Sequence, residues 1–514
     1  MGTQLKKFAI LCHRWMGAAF CLLFAWWFVS GIFMMYWDYP AVSDADRLQR
    51  APVLEASQVK LPAREAYARL GWDESPEAAR LASFDGRPAY FFRGKRSEAI
   101  VYADTGEPQD IFSPELNLRT AAGFAGQPAS AAKVEEVTKP DQWTLEGRLR
   151  DLLPLWKYSW PNGDQVYVSD STGEVVQYTT RTSRLFAYLG PVAHWLYFTP
   201  LRTNGPLWSK VVIWSSAIAT VAALLGLIVG LILYSPGKRY RFAGGAARVP
   251  YTGQKRLHHI LGLFFGVVAC TWAFSGMLSM DPFPVSSGGA GKTRAAIAGA
   301  LRGQRPSLSQ YDAKFPGEAL KQLGPAFAAK QLDLISFAGE PVYLARAAPG
   351  ETRVIPVRGT PSSGFDTERI RELVAGAVSV AEARLLARYD AYYLDRKGEQ
   401  PLPVLFVRLN DANESRYYID PKTAQIVGSY RASAGAWVNR WLYHGLHSIN
   451  FPWLYNYRPA WDVVVLTLML GGTWLCVTSV IIGFQLVRRK LFTRRPAGAS
   501  LSDSPQNGAR GMLT

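Results

Sequence analysis

Four stretches of this chain are apolar over unusual lengths: residues 9–36, 208–234, 258–280 and 461–487. A helix needs about 20 such residues to cross the ~30 Å hydrocarbon core of a bilayer. Each stretch therefore predicts a spanning helix. The run at 9–36 is too long for the apolar part of a signal peptide, His13 and Arg14 interrupt its start, and no A-x-A-like site follows. It reads as a retained helix. Between the spans the pattern changes. Ala-rich amphipathic stretches at 61–70 and 318–329 precede the segments R-P-A-Y-F-F-R and E-P-V-Y-L-A-R, whose alternation predicts strands. D-S-T-G-E and D-P-K-T-A supply turn chemistry before a last strand in each half. Both intervening segments read as α+β domains, a helix packed on an antiparallel sheet. Gly- and Ser-rich runs at 286–291 and 359–364, and the tail from about 496, read as loops.

The two halves match one another. A gapless alignment puts His13 on His258, Gly17 on Gly262, Trp27 on Trp272, Ser30 on Ser275 and Gly31 on Gly276. A second puts His194 on His447, Phe198 on Phe451, Leu201 on Leu454, Pro206 on Pro459, Trp208 on Trp461 and Gly230 on Gly483. L-A-S-F-D-G-R-P-A-Y-F at 81–91 matches L-I-S-F-A-G-E-P-V-Y-L at 334–344 at the spacing of the second alignment. Two parallel repeats imply a pseudo-twofold axis along the membrane normal.

The fold class expected is an integral membrane α-helical protein: four transmembrane helices in two pseudo-twofold repeats, with two extracytoplasmic α+β domains. Its divisions are an N-terminal segment 1–8, span 9–36, outer domain 37–190, interfacial segment 191–207 and span 208–234. A loop at 235–257, span 258–280, outer domain 281–436, interfacial segment 437–460, span 461–487 and tail 488–514 complete the chain.

Charge sets the expected orientation. Lys6 and Lys7 precede the first span, and the loop 235–257 carries Lys238, Arg239, Arg241, Arg248, Lys255 and Arg256 with no acid. Arg488, Arg489, Lys490, Arg494 and Arg495 follow the last span. Basic residues in short loops stay on the cytoplasmic side, so both termini are expected there and both large domains outside. The net charge of +17 is then a topology signal and argues for no nucleic-acid partner. All four cysteines, Cys12, Cys21, Cys270 and Cys476, fall in the spans, so no disulfide framework is expected outside. No nucleotide-binding Gly-rich motif, P-loop or catalytic triad is evident, and the absence of C-x-x-C-H argues against covalently attached c-type haem.

The chain has six histidines, and four of them occupy matched places: His13 with His258, and His194 with His447. Residues four apart share a helix face, so Gly17 and Gly262 lie beside His13 and His258 and leave room for a flat macrocycle. Gly31 and Gly276 return to that face about five turns on, roughly 27 Å away, near the level of His194 and His447. Two facing histidine pairs of this kind suit two stacked haems. Single interfacial histidines are common, and glycine in a spanning helix often serves only close packing; matched context on both sides favours the site reading. His259 points about 100° from His258, and His444 is a reserve ligand. A metal bound directly is the rival, drawing on His13, His258, His259 and Cys12 at one end and His194, His444 and His447 at the other; it wants three or four converging ligands. The aromatic stretches 195–210 and 437–461 fit a membrane-surface belt and also a docking surface, with Trp453, Tyr455 and Arg458 as candidate contacts.

With H-R-W-x-G opening the first span, H-H-x-x-G opening the third and W-L-Y-H-G-L-H before the fourth, the chain resembles the PepSY-associated transmembrane helix family over residues 5 to about 490. The outer domains resemble PepSY domains, the second having Ala424 where the turn pattern expects Gly. The resemblance implies an inner-membrane reductase of ferric siderophores or other iron chelates with two haem b groups. Their axial ligands would be His13, His258, His194 and His447, and the electrons would come from a cytoplasmic or quinol donor. Members of this kind sit in the bacterial inner membrane, in contact with lipid. A fused flavodoxin–reductase module, found in other relatives, is missing. A PepSY protein that regulates a peptidase, and a permease for a metal or chelate, are the alternatives of other classes.

Overall fold

The computed structural model describes residues 2–95, 97–282 and 290–492. Among these, four helices are long and apolar enough to cross a membrane: Thr3–Met34, Gly205–Leu233, Gly253–Leu278 and Ala460–Arg489. The protein is a multi-pass membrane protein. The helices start earlier than the apolar runs do, because polar residues such as Lys6, Lys255 and Arg256 continue the helical hydrogen bonding beyond the hydrocarbon. His13 and His258 therefore lie within their helices and not at the first turn.

Two compact units divide the chain. One comprises Met1–Ala25, Val221–Val267 and Gly471–Thr514; the other comprises Trp26–Thr220 and Val268–Leu470. Each long helix contributes one end to each unit. In the first, the loop between the second and third spanning helices forms a short hairpin, Tyr240–Phe242 against Gly245–Ala247.

The second unit holds the sheets. A seven-stranded antiparallel sheet runs in the order Glu351–Pro356, Glu340–Ala348, Gln331–Phe337, Ala78–Phe84, Arg87–Arg93, Glu98–Tyr102, Pro108–Gln109. Strands from 37–190 and 281–436 thus share one sheet, joined where Ala78–Phe84 pairs with Gln331–Phe337. There Ala79 faces Leu334 and Leu81 faces Leu332. Local alternation foretells the neighbouring strands Arg87–Arg93 and Glu340–Ala348 but not this pairing, because it joins residues far apart in the chain. Burial on both faces explains the dense apolar runs: Tyr90, Phe92, Tyr343 and Ala345 enter one core, while Ala89, Val342 and Leu344 enter others. The Tyr90 hydroxyl donates to the Leu61 carbonyl and the Tyr343 hydroxyl to that of Lys314, so neither buried phenol lacks a partner.

Two four-stranded antiparallel sheets complete the unit. Lys133–Val137, Leu155–Ser159, Gln165–Ser169 and Val175–Thr179 pack against the helix Pro114–Ala125. Val380–Leu386, Val404–Leu409, Arg416–Asp420 and Gln425–Tyr430 pack against the helices Ala290–Arg302 and Thr367–Ala377. The two amphipathic stretches give shorter helices than their pattern suggests, Ala63–Ala68 and Pro316–Leu323, the second stopped by Gly324 at φ 66°. Of the 286–291 loop, residues 286–289 lie outside the described residues and 290–291 open a helix; the tail from 496 also lies outside.

Both expected turns precede their last strands. Gly173 takes φ 63° and Ala424 takes φ 54° at corresponding places. The departure from Gly therefore keeps the turn and strains it, since a left-handed residue with a Cβ costs about 1 kcal/mol. Ala424→Gly is expected to raise stability by about 0.5–1 kcal/mol, read as a higher unfolding temperature in detergent. Gly173→Ala should lower it, because the new Cβ also collides with the Phe112 ring.

Candidate haem-binding histidine pairs

In the first unit, the rings of His13 and His258 lie 6.3 Å apart, centre to centre, and 28° from parallel. In the second, His194 and His447 lie 5.9 Å apart at 66°. An imidazole–metal bond is about 2 Å, and the ring centre lies about 1 Å beyond the nitrogen. Two imidazoles sharing one metal atom therefore stand about 6 Å apart. Both pairs meet that spacing.

The other ring nitrogen is engaged in every case. His13 Nδ1 lies 3.1 Å from the Ala222 carbonyl, which can only accept. The Thr478 hydroxyl donates to the Leu475 carbonyl, so it accepts from His258 Nδ1 at 3.1 Å. Ser30 donates to the Trp27 carbonyl and accepts from His194 Nδ1 at 3.0 Å. Ser275 donates to the Trp272 carbonyl and accepts from His447 Nδ1 at 3.0 Å. A proton fixed on Nδ1 leaves the lone pair on Nε2, the arrangement of metal-ligating histidines. His194 and His447 keep some accessible surface but are densely surrounded. Burial, and then the neighbouring His447, push the His194 pKa down to about 3, and burial pushes His447 to about 4. Both rings are therefore neutral near pH 7.

The glycines divide into two kinds. A Cβ on Gly17 would meet nothing within 4 Å, and one on Gly262 only Leu475 at 3.9 Å. Those two leave open space beside His13 and His258, as a macrocycle needs. Gly31 and Gly276 do something else. A Cβ on Gly276 would stand 3.5 Å from His447 Cε1, and one on Gly31 would run into Met469 and reach His194 Cε1 at 3.6 Å. They seat the imidazole rings, because the histidines come in from separate interfacial segments and need that ground. Gly226 plays the same part for His13, whose Cε1 lies 2.6 Å from where a Cβ would stand. The repeat gives no hint of Gly226, since Ser479 holds the corresponding place.

Both interfacial histidines sit on the same backbone device. Widened π-helical turns, Tyr188–Val192 and Val438–Gly445, lead into them, a feature often found at functional sites. Two residues beyond each histidine the chain turns sharply through Leu196 at φ 53° and Ile449 at φ 50°. Side chains of this bulk disfavour such a conformation. Tryptophans at matched positions clamp the corner: the Trp208 indole donates to the Trp195 carbonyl at 2.8 Å, and that of Trp461 to Ser448 and Ile449 at 3.1 Å. Arg440, buried beside Trp441, adds a fork to Asn450 at 2.9 and 3.0 Å.

The other two histidines stand aside. His444 packs tilted against Tyr443, while His447 is the one that meets His194. His259 is buried against Tyr251 with Nε2 unpartnered. Among the described residues, no three His, Cys, Asp or Glu side chains gather as a bare-metal site. Of the docking candidates, Trp453 is 71% exposed and stacks on Phe451. Tyr455 packs edge-on against Trp461. Arg458 is exposed but paired: its guanidinium grips Asp462 with two hydrogen bonds and lies over Trp461. Asp462, four residues on, pairs with the charge that the sequence offers to an anion.

A family model described as PepSY-associated TM region matches residues 10–322. The chain belongs to that family. The matched segment of this PepSY-associated protein carries His13, His194 and His258; His447 lies beyond it. No curated protein matches the chain.

Proposed function

We propose that this protein is a bacterial inner-membrane electron-transfer protein that holds two b-type haems and reduces periplasmic ferric chelates such as siderophores. The observation that carries the reading is the two imidazole pairs at 6.3 and 5.9 Å, each ring with Nδ1 engaged. His13 and His258 would hold one haem, with Gly17 and Gly262 giving it room; His194 and His447 would hold the other. Bound in this way, haem supplies one-electron carriage without an open coordination position. The hydroxyls of Thr478, Ser30 and Ser275 and the Ala222 carbonyl fix each ligating tautomer. The indoles of Trp208 and Trp461 keep the second pair's corners in place.

We read the chain as two repeats about a pseudo-twofold axis. The strand register supports this. The sequence match sends Leu81 to Leu334 and Ala79 to Leu332, and the two pairs Ala79–Leu334 and Leu81–Leu332 exchange under it. The cation-rich, acid-free loop at 235–257 supports cytoplasmic termini. The donor is then a quinol or a cytoplasmic reductant, and the iron is released once reduction weakens its hard oxygen ligands. The test is a pyridine haemochrome assay on the purified chain, with about two haems per polypeptide expected. A folded but colourless protein would return the reading to a peptidase regulator or a permease.

A further inference from the structure

The second pair is matched in its ligands and unmatched in what lies against them. Ser30 and Ser275 hold the two rings alike. On the His447 side, the residue that reaches Gly276 is Ser216, with Oγ 3.9 Å from where a Cβ would stand. Met469 stands as far beyond Trp461 as Ser216 stands beyond Trp208, so it is the counterpart of Ser216 in the match. Its Cε and Sδ lie 2.8 and 3.2 Å from the corresponding point on Gly31, with His194 Cε1 at 3.6 Å from the same point. Met469 is buried. A thioether thus fills the ground that Gly31 vacates, beside the ring carbon that adjoins His194 Nε2. One flank of the pair is closed by an apolar plug and the other by a hydroxyl.

We infer that Met469 is a positioning residue that seats His194 and keeps water from its side of the pair, and so raises the reduction potential of a haem bound there. The inference rests on the haem reading. A ferric centre carries one more positive charge than a ferrous one, so nearby water and dipoles favour the oxidised form and a dry apolar wall favours the reduced one.

A redox titration of the full, haem-loaded chain followed by absorbance should resolve two components, the second-pair component being the one that His447→Ala removes. Met469→Ser copies the counterpart residue. It should make that component about tenfold harder to reduce, 59 mV for a one-electron couple, and leave the other in place. Met469→Leu keeps the volume and the dryness, and should hold the second component within about twofold. Loss of that haem from the serine variant alone would support the seating role. The inference is overturned if Met469→Ser leaves the component unmoved, if both components shift together, or if Met469→Leu shifts it as far as serine does. A wild-type chain without haem would instead remove the functional reading and is told apart by its spectrum.

Discussion

His447→Ala is expected to leave about one haem per chain and to abolish reduction of an impermeant ferric chelate by intact spheroplasts. The ring it removes faces His194 at 5.9 Å, and His194 cannot by itself supply both axial positions. The remaining haem, on His13 and His258, should still be reducible by dithionite, because its ligands belong to a separate set of contacts with Ala222 and Thr478. His444 provides the control. It lies on the π-helical turn that leads into His447 but packs tilted against Tyr443, so His444→Ala should retain both haems. Full chelate reduction by a His447→Ala chain that has lost one haem would place the reducing site elsewhere, in the sheet-bearing segments. Chelate reduction only from the cytoplasmic side of inverted vesicles would reverse the orientation.

Much of this site was legible in the sequence because it is written twice. His13 and His258 open matched apolar runs, and His194 and His447 precede matched tryptophans; duplication made the four stand out from His259 and His444. Ser30 and Ser275 were in the same alignment, yet their role was not evident, since a serine near a glycine in a spanning helix has many uses. The Ala222 carbonyl that orients His13 has no signature at all, because every residue has a carbonyl. Arg458 shows a related gap. Its charge is visible in the sequence, but its engagement by Asp462 depends on the helix beginning where it does. The strands Arg87–Arg93 and Glu340–Ala348 were foretold by alternation. Their union into one seven-stranded sheet was not, since it is decided by packing between distant segments.

Gly226 is the residue whose importance only the structure brings out, and its replacement carries the second large expected effect. The His13 ring lies flat enough on the second spanning helix that a Cβ at 226 would approach Cε1 to 2.6 Å, Nδ1 to 3.1 Å and Nε2 to 3.4 Å. The helix backbone cannot retreat, because residue 222 on the same face accepts the His13 hydrogen bond. Gly226→Leu must therefore expel the ring, breaking the bond to Ala222 and carrying Nε2 away from His258. The expected outcome is loss of the haem at that pair with the His194–His447 haem retained. Donor-driven ferric reduction should fall at least tenfold, while dithionite still reduces the remaining haem. Gly226→Ala asks the His13 ring to give by most of an ångström, since Cε1 would lie 2.6 Å from the new Cβ, and should keep the haem with a weakened hold. Gly262→Ala is the informative contrast: its Cβ would meet only Leu475 at 3.9 Å, so any haem lost from that variant reports a clash with the macrocycle and not with a ligand. Equal haem content in wild type and Gly226→Leu would show that His13 does not ligate from the position in which this helix holds it.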